Sequence, residues 1–346
     1  MSIKRKKLIE DLQVVANSLG TSGFILAFQC FHIKHNVLFA TDGATSIKKT
    51  LEYDTGVDCS IFGMAFLTTL QNIKNEDITL EQENNKLILV AEKIEGEFTI
   101  VSEAKGVKIP SYTPQESVDM LFEEGFMKAL GECKFAASRD ETQGSLCGVY
   151  VDEKYVYATD RFQIMRHTIG YDCETKGMIF PIKLIEILEK VWTKDSTIRV
   201  VKGDTILVFV DSSTVLEGCT LSGKFPLVAE QFVDFGDLCA VGFDRTSLKE
   251  VIERHIVFQK GVLDIDRSTT IELEGVKAYL QTVDPNVGSL VEEVDIIQSF
   301  NDLVSFKINP VFLKMAIKEG SELFFSPSNE LILIRSKNFE YLAKIR

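Results

Sequence analysis

Three side chains that bind transition metals crowd one short stretch: Cys30, His32 and His35, in Cys30-Phe31-His32-Ile33-Lys34-His35. A thiolate and two imidazoles are zinc ligands, and a zinc-bound water would make a hydrolase. The spacing is poor for that chemistry. On a strand, side chains alternate between faces, so Cys30 and His32 share one face while His35 points elsewhere. No acidic residue stands at a fixed distance to complete the set. No serine or cysteine falls in a context that supplies a nucleophile with its base. Gly20-Thr21-Ser22-Gly23 lacks the Lys-Ser/Thr with which a glycine-rich loop holds phosphate. The seven cysteines form no CxxC pair and leave one over, as expected of reduced thiols. A metal-dependent hydrolase built on Cys30, His32 and His35 is therefore the catalytic alternative to a protein that performs no catalysis.

The aspartates say more. Phe39-Ala40-Thr41-Asp42-Gly43 and Tyr157-Ala158-Thr159-Asp160-Arg161 repeat one phrase, apolar-Ala-Thr-Asp. Downstream of each comes an amphipathic stretch, at 61–70 and at 182–191. In the second, Leu184, Ile187, Leu188 and Val191 recur at helical spacing, with Lys183, Glu186 and Lys190 off the stripe. Pro181 suits the start of that helix. Hairpin patterns follow at 78–90 and 196–210, with turns at Asn84-Asn85 and Gly203-Asp204 that accept positive φ. A third copy keeps the register: Asp284 closes Tyr279-Leu280-Gln281-Thr282-Val283-Asp284, and a helix at 308–318 and a hairpin at 322–334 follow. Each copy also opens with a helix, at 7–19, 124–136 and 246–258, the last with Asp244 as its N-cap. Segment 113–123 carries a capping-box pattern at 113–116. The alternation of Val118, Met120 and Phe122 nevertheless marks it as a strand, as Val241 and Phe243 alternate before the third opening helix. The expected fold is α+β: three repeated domains, each of two helices against antiparallel sheet, at 1–113, 114–232 and 233–346.

With 346 residues, 45% hydrophobic and 26% charged, the chain can bury two or three cores. It has no apolar run long enough to span a bilayer, and no apolar stretch follows the basic Lys4-Arg5-Lys6-Lys7. A cytoplasmic protein with no membrane partner is expected. A net charge of −13 argues against a wholly basic nucleic-acid binder. It allows one basic surface on an acidic body.

This threefold pattern resembles the bacterial DNA polymerase III beta subunit, the DNA sliding clamp. The stretches CKFAASRDETQGSLCGVYV (133–151), YVYATDRFQIM (155–165), MIFPIKLIEIL (178–188), GKFP (223–226) and YLAKIR (341–346) are similar to family segments and fall in the family's order. The resemblance implies a processivity factor, not an enzyme, with no cofactor and no metal. It implies a homodimer, joined head to tail into a ring around double-stranded DNA, which it holds without reading sequence. Phe98 on one side and Val257 and Phe258 on the other would supply the apolar dimer contact. Lys6, Lys7, Lys74, Lys183, Lys190, Lys194, Lys314 and Lys318 would face DNA, with Lys183 matching a family position on a hole-lining helix. Glu10, Asp11, Glu186 and Glu189 share those helices.

The resemblance also implies a pocket for short linear motifs of DNA polymerase and clamp-loader subunits. Its walls would be Leu146, Thr159, Arg161, Phe162, Gln163, Ile164 and Pro226, with Tyr341, Leu342, Ala343 and Ile345 of the tail. Here the sequence departs from the family. The usual Gly-His-Arg-Leu after Thr-Asp reads Arg161-Phe162-Gln163-Ile164, and the terminal Met-Pro-Met-Arg is absent. A divergent phage or mobile-element clamp, or a regulatory clamp-like decoy, is the alternative within the same family.

Overall fold

The computed structural model describes the chain except for residues 1, 22, 111–117, 121–123, 171–176, 195, 201–204, 233–236, 263–266, 318–321, 327–329 and 346. Contacts divide it into two compact units, Met1–Met127 with Lys183–Thr220, and Lys128–Ile182 with Leu221–Arg346.

One order of elements recurs along the chain. It first runs β1 (Ser2–Lys4), α1 (Arg5–Val15), β2 (Cys30–Lys34), β3 (Val37–Thr41), β4 (Thr45–Thr50), β5 (Asp58–Phe62), α2 (Gly63–Asn72), β6 (Asp77–Glu83), β7 (Lys86–Ala91) and β8 (Ile94–Thr99). It then runs β9 (Val118–Met120), α3 (Glu124–Cys133), β10 (Gly148–Val151), β11 (Tyr155–Thr159), β12 (Gln163–Thr168), β13 (Ile179–Pro181), α4 (Ile182–Val191), β14 (Thr197–Val200), β15 (Thr205–Phe209) and β16 (Thr214–Cys219). The last run is β17 (Cys239–Val241), α5 (Arg245–Phe258), β18 (Thr269–Asp284), β19 (Gly288–Ile308), α6 (Pro310–Ala316), β20 (Glu322–Ser326), β21 (Leu331–Arg335) and β22 (Phe339–Lys344).

The sheets repeat as well. One half-sheet has the order β1-β6-β7-β8, then β9-β14-β15-β16, then β17-β20-β21-β22. The other is β5-β2-β3-β4, then β13-β10-β11-β12. Its third version is drawn from β18 and β19 alone. β18 folds back at Gly275 (φ +56), since the hydroxyls of Thr269 and Thr282 lie 2.8 Å apart. β19 pairs with both arms, Tyr279 opposite Glu293 and Thr269 opposite Ile308.

Successive half-sheets join edge to edge. β4 pairs antiparallel with β16, Thr45 opposite Gly218 and Lys49 opposite Thr214. β12 pairs with β22, Gln163 opposite Ala343 and His167 opposite Phe339. Each eight-stranded sheet so formed lies inside one compact unit.

Local chemistry accounts for the helices. α4 buries Leu184, Ile187, Leu188 and Val191 and exposes Lys183, Glu189 and Lys190, the expected stripe. Asp244 caps α5 by accepting from the Ser247 amide at 2.9 Å. Asn309 caps α6 from the Val311 amide, with Pro310 in the first turn.

The opening helices α1 and α3 end earlier than expected, at Val15 and Cys133, and pass into 3-10 turns at Ala16–Ser18 and Lys134–Ala136; two other helices differ as well. α2 starts at Gly63, not at 61, because Ile61 and Phe62 are claimed by pairing with Phe31 and Cys30. α6 begins only after Ile308, which pairs with Thr269, and it ends at Ala316. Strand β9 forms at Val118–Met120 as the alternation implies, and pairs with β14. Phe122, the pattern at 113–116 and the turn Gly203-Asp204 lie outside the described residues.

Gly148 shows how tightly the β10–β13 pair is built. A Cβ there would sit 2.5 Å from the carbonyl oxygen of Phe180, a backbone atom that cannot swing aside. Gly148→Ala should therefore lower stability by about 2 kcal/mol, as overpacking does. Denaturant unfolding would measure it, and an unchanged midpoint would contradict this packing.

Candidate functional site

The Thr-Asp phrase is a turn built twice. Thr41 Oγ1 donates to the Thr45 carbonyl (2.9 Å) and accepts from the Gly43 amide (3.1 Å), while Asp42 Oδ1 accepts from the amides of Ala44 (2.9 Å) and Thr45 (2.7 Å). Thr159 Oγ1 donates to the Gln163 carbonyl (2.7 Å) and accepts from the Arg161 amide (3.1 Å). Asp160 Oδ1 accepts from the amides of Phe162 (2.9 Å) and Gln163 (3.0 Å). The residue after the aspartate has positive φ in both, +90° at Gly43 and +81° at Arg161. Glycine takes that conformation freely; arginine does so at a cost, so the second turn is held against strain. Asp284 caps a third turn, accepting from the amides of Asn286 and Val287.

The two aspartates differ in what meets Oδ2. Asp42 pairs with the Lys183 ammonium at the start of α4. Burial pushes its carboxyl up, but Lys183 and the amides of Thr45 and Ala44 outweigh it and hold Asp42 below the ordinary range. Asp160 meets an uncharged partner, Gln163 Nε2, at 2.9 Å. Burial wins there, and the Asp160 carboxyl is pushed up. Gln163 in turn accepts from the fully buried Tyr341 hydroxyl at 2.9 Å, so the turn is tied to strand β22.

The residues expected to wall a peptide pocket divide between the faces of one sheet. Ile164 lies opposite Thr159 on β11 and Leu342 on β22, so these three share a face. Leu146 and Ile164 join an apolar floor with Tyr157, Ile179, Phe225 and Val228, flanked by Tyr150, Tyr155 and Phe232. Pro226 and Leu227 stand exposed beside it. Gln163, Tyr341 and Ala343 belong to the opposite face. There Asp160, Phe162, Gln163, Ala343 and Lys344 border a cavity of about 290 Å³ with Arg267, Lys307, Asn309 and Phe312. Arg161 is exposed and Ile345 buried at the strand's end, its amide bonded to the Glu330 carbonyl. Sequence reasoning missed the aromatic floor and the residues from 267 to 312. Adjacent Phe225-Pro226 and alternating Tyr155 and Tyr157 were the available signals.

Of the lysines expected to face DNA, Lys6, Lys74, Lys190 and Lys194 are exposed. Lys183, Lys7 and Lys314 are tied to carboxylates, those of Asp42, Asp11 and Glu253. Lys318 lies outside the described residues. Exposed Arg245 and Lys249 on α5 add basic groups that were not anticipated. Phe98 is half-buried, edge-on to Phe66 at 5.1 Å; Val257 is exposed and Phe258 half-buried on α5.

Cys30, His32 and His35 do not converge. His32 has both ring nitrogens occupied, Nδ1 by Ser60 Oγ (2.8 Å) and Nε2 by the Ala27 carbonyl (3.1 Å). Burial pushes the Cys30 thiol up to about 11, so it stays protonated, and it bonds the Leu26 carbonyl. His35 sits in a turn beside Asp54. Among the described residues no group of three His, Cys, Asp or Glu side chains is placed to hold a metal. The hydrolase alternative is not favoured.

The opposite shifts of Asp42 and Asp160 give opposite pH signatures. The contribution of Asp42 to stability is present above the ordinary aspartate value of about 3.9 and lost as pH falls through its depressed value. That of Asp160 is present below about 3.9 and lost as pH rises through its raised value. Asp42→Asn should therefore destabilise at pH 7 with a loss that shrinks in acid, while Asp160→Asn should cost less at pH 7. Unfolding midpoints at pH 7 and at about pH 2, below the ordinary aspartate value, would test this; equal losses at both sites would reject it.

No protein-family model matches the sequence, and no curated protein does. Solved structures do match. The DNA polymerase III subunit beta of Pseudomonas aeruginosa aligns at TM-score 0.79 and 17% identity, covering 100% of this chain and 99% of that one. The DNA polymerase III beta chain of Streptococcus pneumoniae aligns at TM-score 0.80 and 17% identity, over 100% and 98%. The beta sliding clamp of C. crescentus, with PEG bound at its beta-motif tethering region, aligns at TM-score 0.80 and 15% identity, over 100% and 98%. At such identity the likeness is one of fold: along its whole length this chain is similar to the beta subunits of bacterial DNA polymerase III.

Proposed function

We propose that this protein is a DNA sliding clamp, a non-catalytic processivity factor of three clamp-type domains near 1–113, 114–232 and 233–346. One observation carries the reading. Among the described residues the chain makes the same edge-to-edge junction twice, β4 with β16 and β12 with β22, and leaves unpaired the two edges that correspond to these joining strands. These are β8 and the arm of β19 that pairs with residues 277–284. They are the counterparts of strands already joined, so two copies placed head to tail would pair both and close a ring. A closed ring needs no sequence-specific contact, because it is held on DNA by topology, and weak phosphate contacts leave it free to slide.

Charge supports the same reading. Basic residues outnumber acidic ones on the six helices, although the chain as a whole carries −13. Lys6, Lys190 and Lys194 are the best phosphate contacts. Lys183 contributes less, since it must leave Asp42 to reach one. Retention should be high on circular and low on linear DNA, and Lys190→Glu with Lys194→Glu should weaken it through repulsion from phosphate. Equal retention on both forms after a salt wash would reject the ring.

The apolar floor around Leu146 and Ile164 is the proposed docking site for motifs of polymerase and clamp-loader subunits, in the manner of the tethering region named in the C. crescentus structure. A short peptide buries little area and must order itself, so binding should be about micromolar and rest on a few apolar anchors. The family's cation is replaced by Gln163, whose amide is already engaged by Asp160 and Tyr341. Acidic peptide positions should therefore matter little. Leu146→Asp places an unpaired charge in the floor and should abolish motif binding while leaving the ring closed. Peptide titration that finds this variant unimpaired would show that the site lies elsewhere.

A further inference from the structure

The three junctions can be compared position by position, because the internal repeat supplies the register. At the second junction Arg166 on β12 lies opposite Glu340 on β22, and Nε of Arg166 bonds the Glu340 carboxylate at 2.6 Å. Arg335, opposite Glu340 on its other side, bonds the same carboxylate at 2.8 Å. One acidic residue on the joining strand is thus gripped by a cation from each neighbouring strand. At the first junction β4 brings Lys48 and Lys49, and β16 brings Glu217, which accepts from Ser46. Summed over the paired strands both internal junctions are complementary in charge, though at the position of the Arg166–Glu340 pair the first has Lys48 opposite Val215.

The third junction is not. The pairing of Tyr155 with Thr168 corresponds to that of Tyr279 with Glu293, which makes Val291 the counterpart of Arg166. The pairings of Arg335 with Glu340 and of Val90 with Glu95 correspond likewise, so Glu95 is the counterpart of Glu340 and Val90 of Arg335. Closure would set Glu95 of one copy between its own Val90 and Val291 of the other. Where Glu340 has two arginines, Glu95 has two valines. Among the flanking residues exposed Lys93, just before β8, would fall opposite Glu293, and the other charges at this seam are acidic. β8 also carries Glu97, paired with Lys86, and the β19 arm carries Glu292, Glu293 and Asp295. Arg254 and Lys277 of the same chain already engage Glu292 and Glu293. The attraction that remains is apolar: Val283, Val287 and Val291 are 63%, 63% and 56% exposed on one edge, and Ile94 is 40% exposed on the other.

We infer that association between two copies of this chain is opposed by like charge centred on Glu95, so the closing contact is a weak, salt-tightened one. This inference rests on the clamp reading above. Like charges on neighbouring strands destabilise their pairing, here Glu95 and Glu97 against Glu292, Glu293 and Asp295, and salt screens them over about 8 Å at physiological strength. Salt acts oppositely on phosphate contacts, which it loosens. Raising ionic strength should therefore close the ring while freeing it to slide.

The test is sedimentation equilibrium of the full chain between low and high NaCl. Wild-type protein should dimerise more tightly as salt rises. Val291→Arg restores the cation missing beside Glu95, and at low salt should tighten the dimer on the order of tenfold, the scale of a close interfacial charge pair. Glu95→Gln should also tighten it and flatten the salt dependence. Both sites are exposed in the single chain, so folding is not at stake. A dimer that loosens with salt and ignores Val291→Arg would overturn the inference and leave the clamp reading standing. Monomers at every salt, in wild type and Val291→Arg alike, would overturn the clamp reading itself.

Discussion

The edge of a β-sheet presents a row of N–H and C=O groups that need partners, and that need organises this chain. The first two repeats of the element order each make two four-stranded half-sheets, the third makes one and the β18–β19 pair, and none is closed. β4 takes β16 and β12 takes β22, so an edge left by one copy is covered by the next. The compact units follow from this pairing: each holds one complete eight-stranded sheet, so the contact boundary runs through the middle of the second repeat. Pairing by covalent continuity can cover only two of three such edges. The last must stay exposed or be met by another chain.

The repeated Thr-Asp turn sits at these junctions because the strand that ends there starts again, after three intervening residues, as the joining strand. Its threonine and aspartate supply the acceptors for the amides of the turn, which is what lets β3 pass into β4 and β11 into β12 so abruptly. Function has room to vary around a fixed scaffold. With Lys183 beside it the aspartate is a stable anion; with Gln163 beside it, it is a half-buried carboxyl with a raised pKa, linked through Tyr341 to the last strand. The same three letters therefore write two electrostatic environments.

Much of this was legible in the sequence, and the rest was hidden for a physical reason. Helix α4 announces itself because Leu184, Leu188 and Val191 bury one stripe, and the cap of α5 because Asp244 has the right side chain three residues before Ser247. These are local relations. The junctions are not: Ser46 and Glu217 meet across 171 positions, and nothing near either one names the other. The same limit applies to the site. Leu146, Ile164 and Leu342 could be placed in one pocket by resemblance. That Gln163 and Tyr341 face the other way follows only once the register of β12 on β22 is known. Lys183 looked free because its stripe is exposed; its carboxylate partner lies on a turn far back in the chain. Cys30 and His32 looked like ligands because their hydrogen-bond partners, Leu26, Ala27 and Ser60, are invisible without the fold.

In the proposed ring, charge and topology divide the labour. A body of net charge −13 repels DNA as a whole, while the helices together carry a small basic excess. In such a ring the acidic excess would keep a duplex from settling on the outside. Weak contact inside is then an advantage, since the ring and not the affinity prevents loss. The same acidity has a consequence at the seam. In that ring two bodies of like charge would meet edge to edge, and the valines beside Glu95 leave apolar contact and backbone pairing as the chief attractions. A clamp built this way gains mobility on DNA and gives up some permanence of closure, and both properties trace to the placement of its carboxylates.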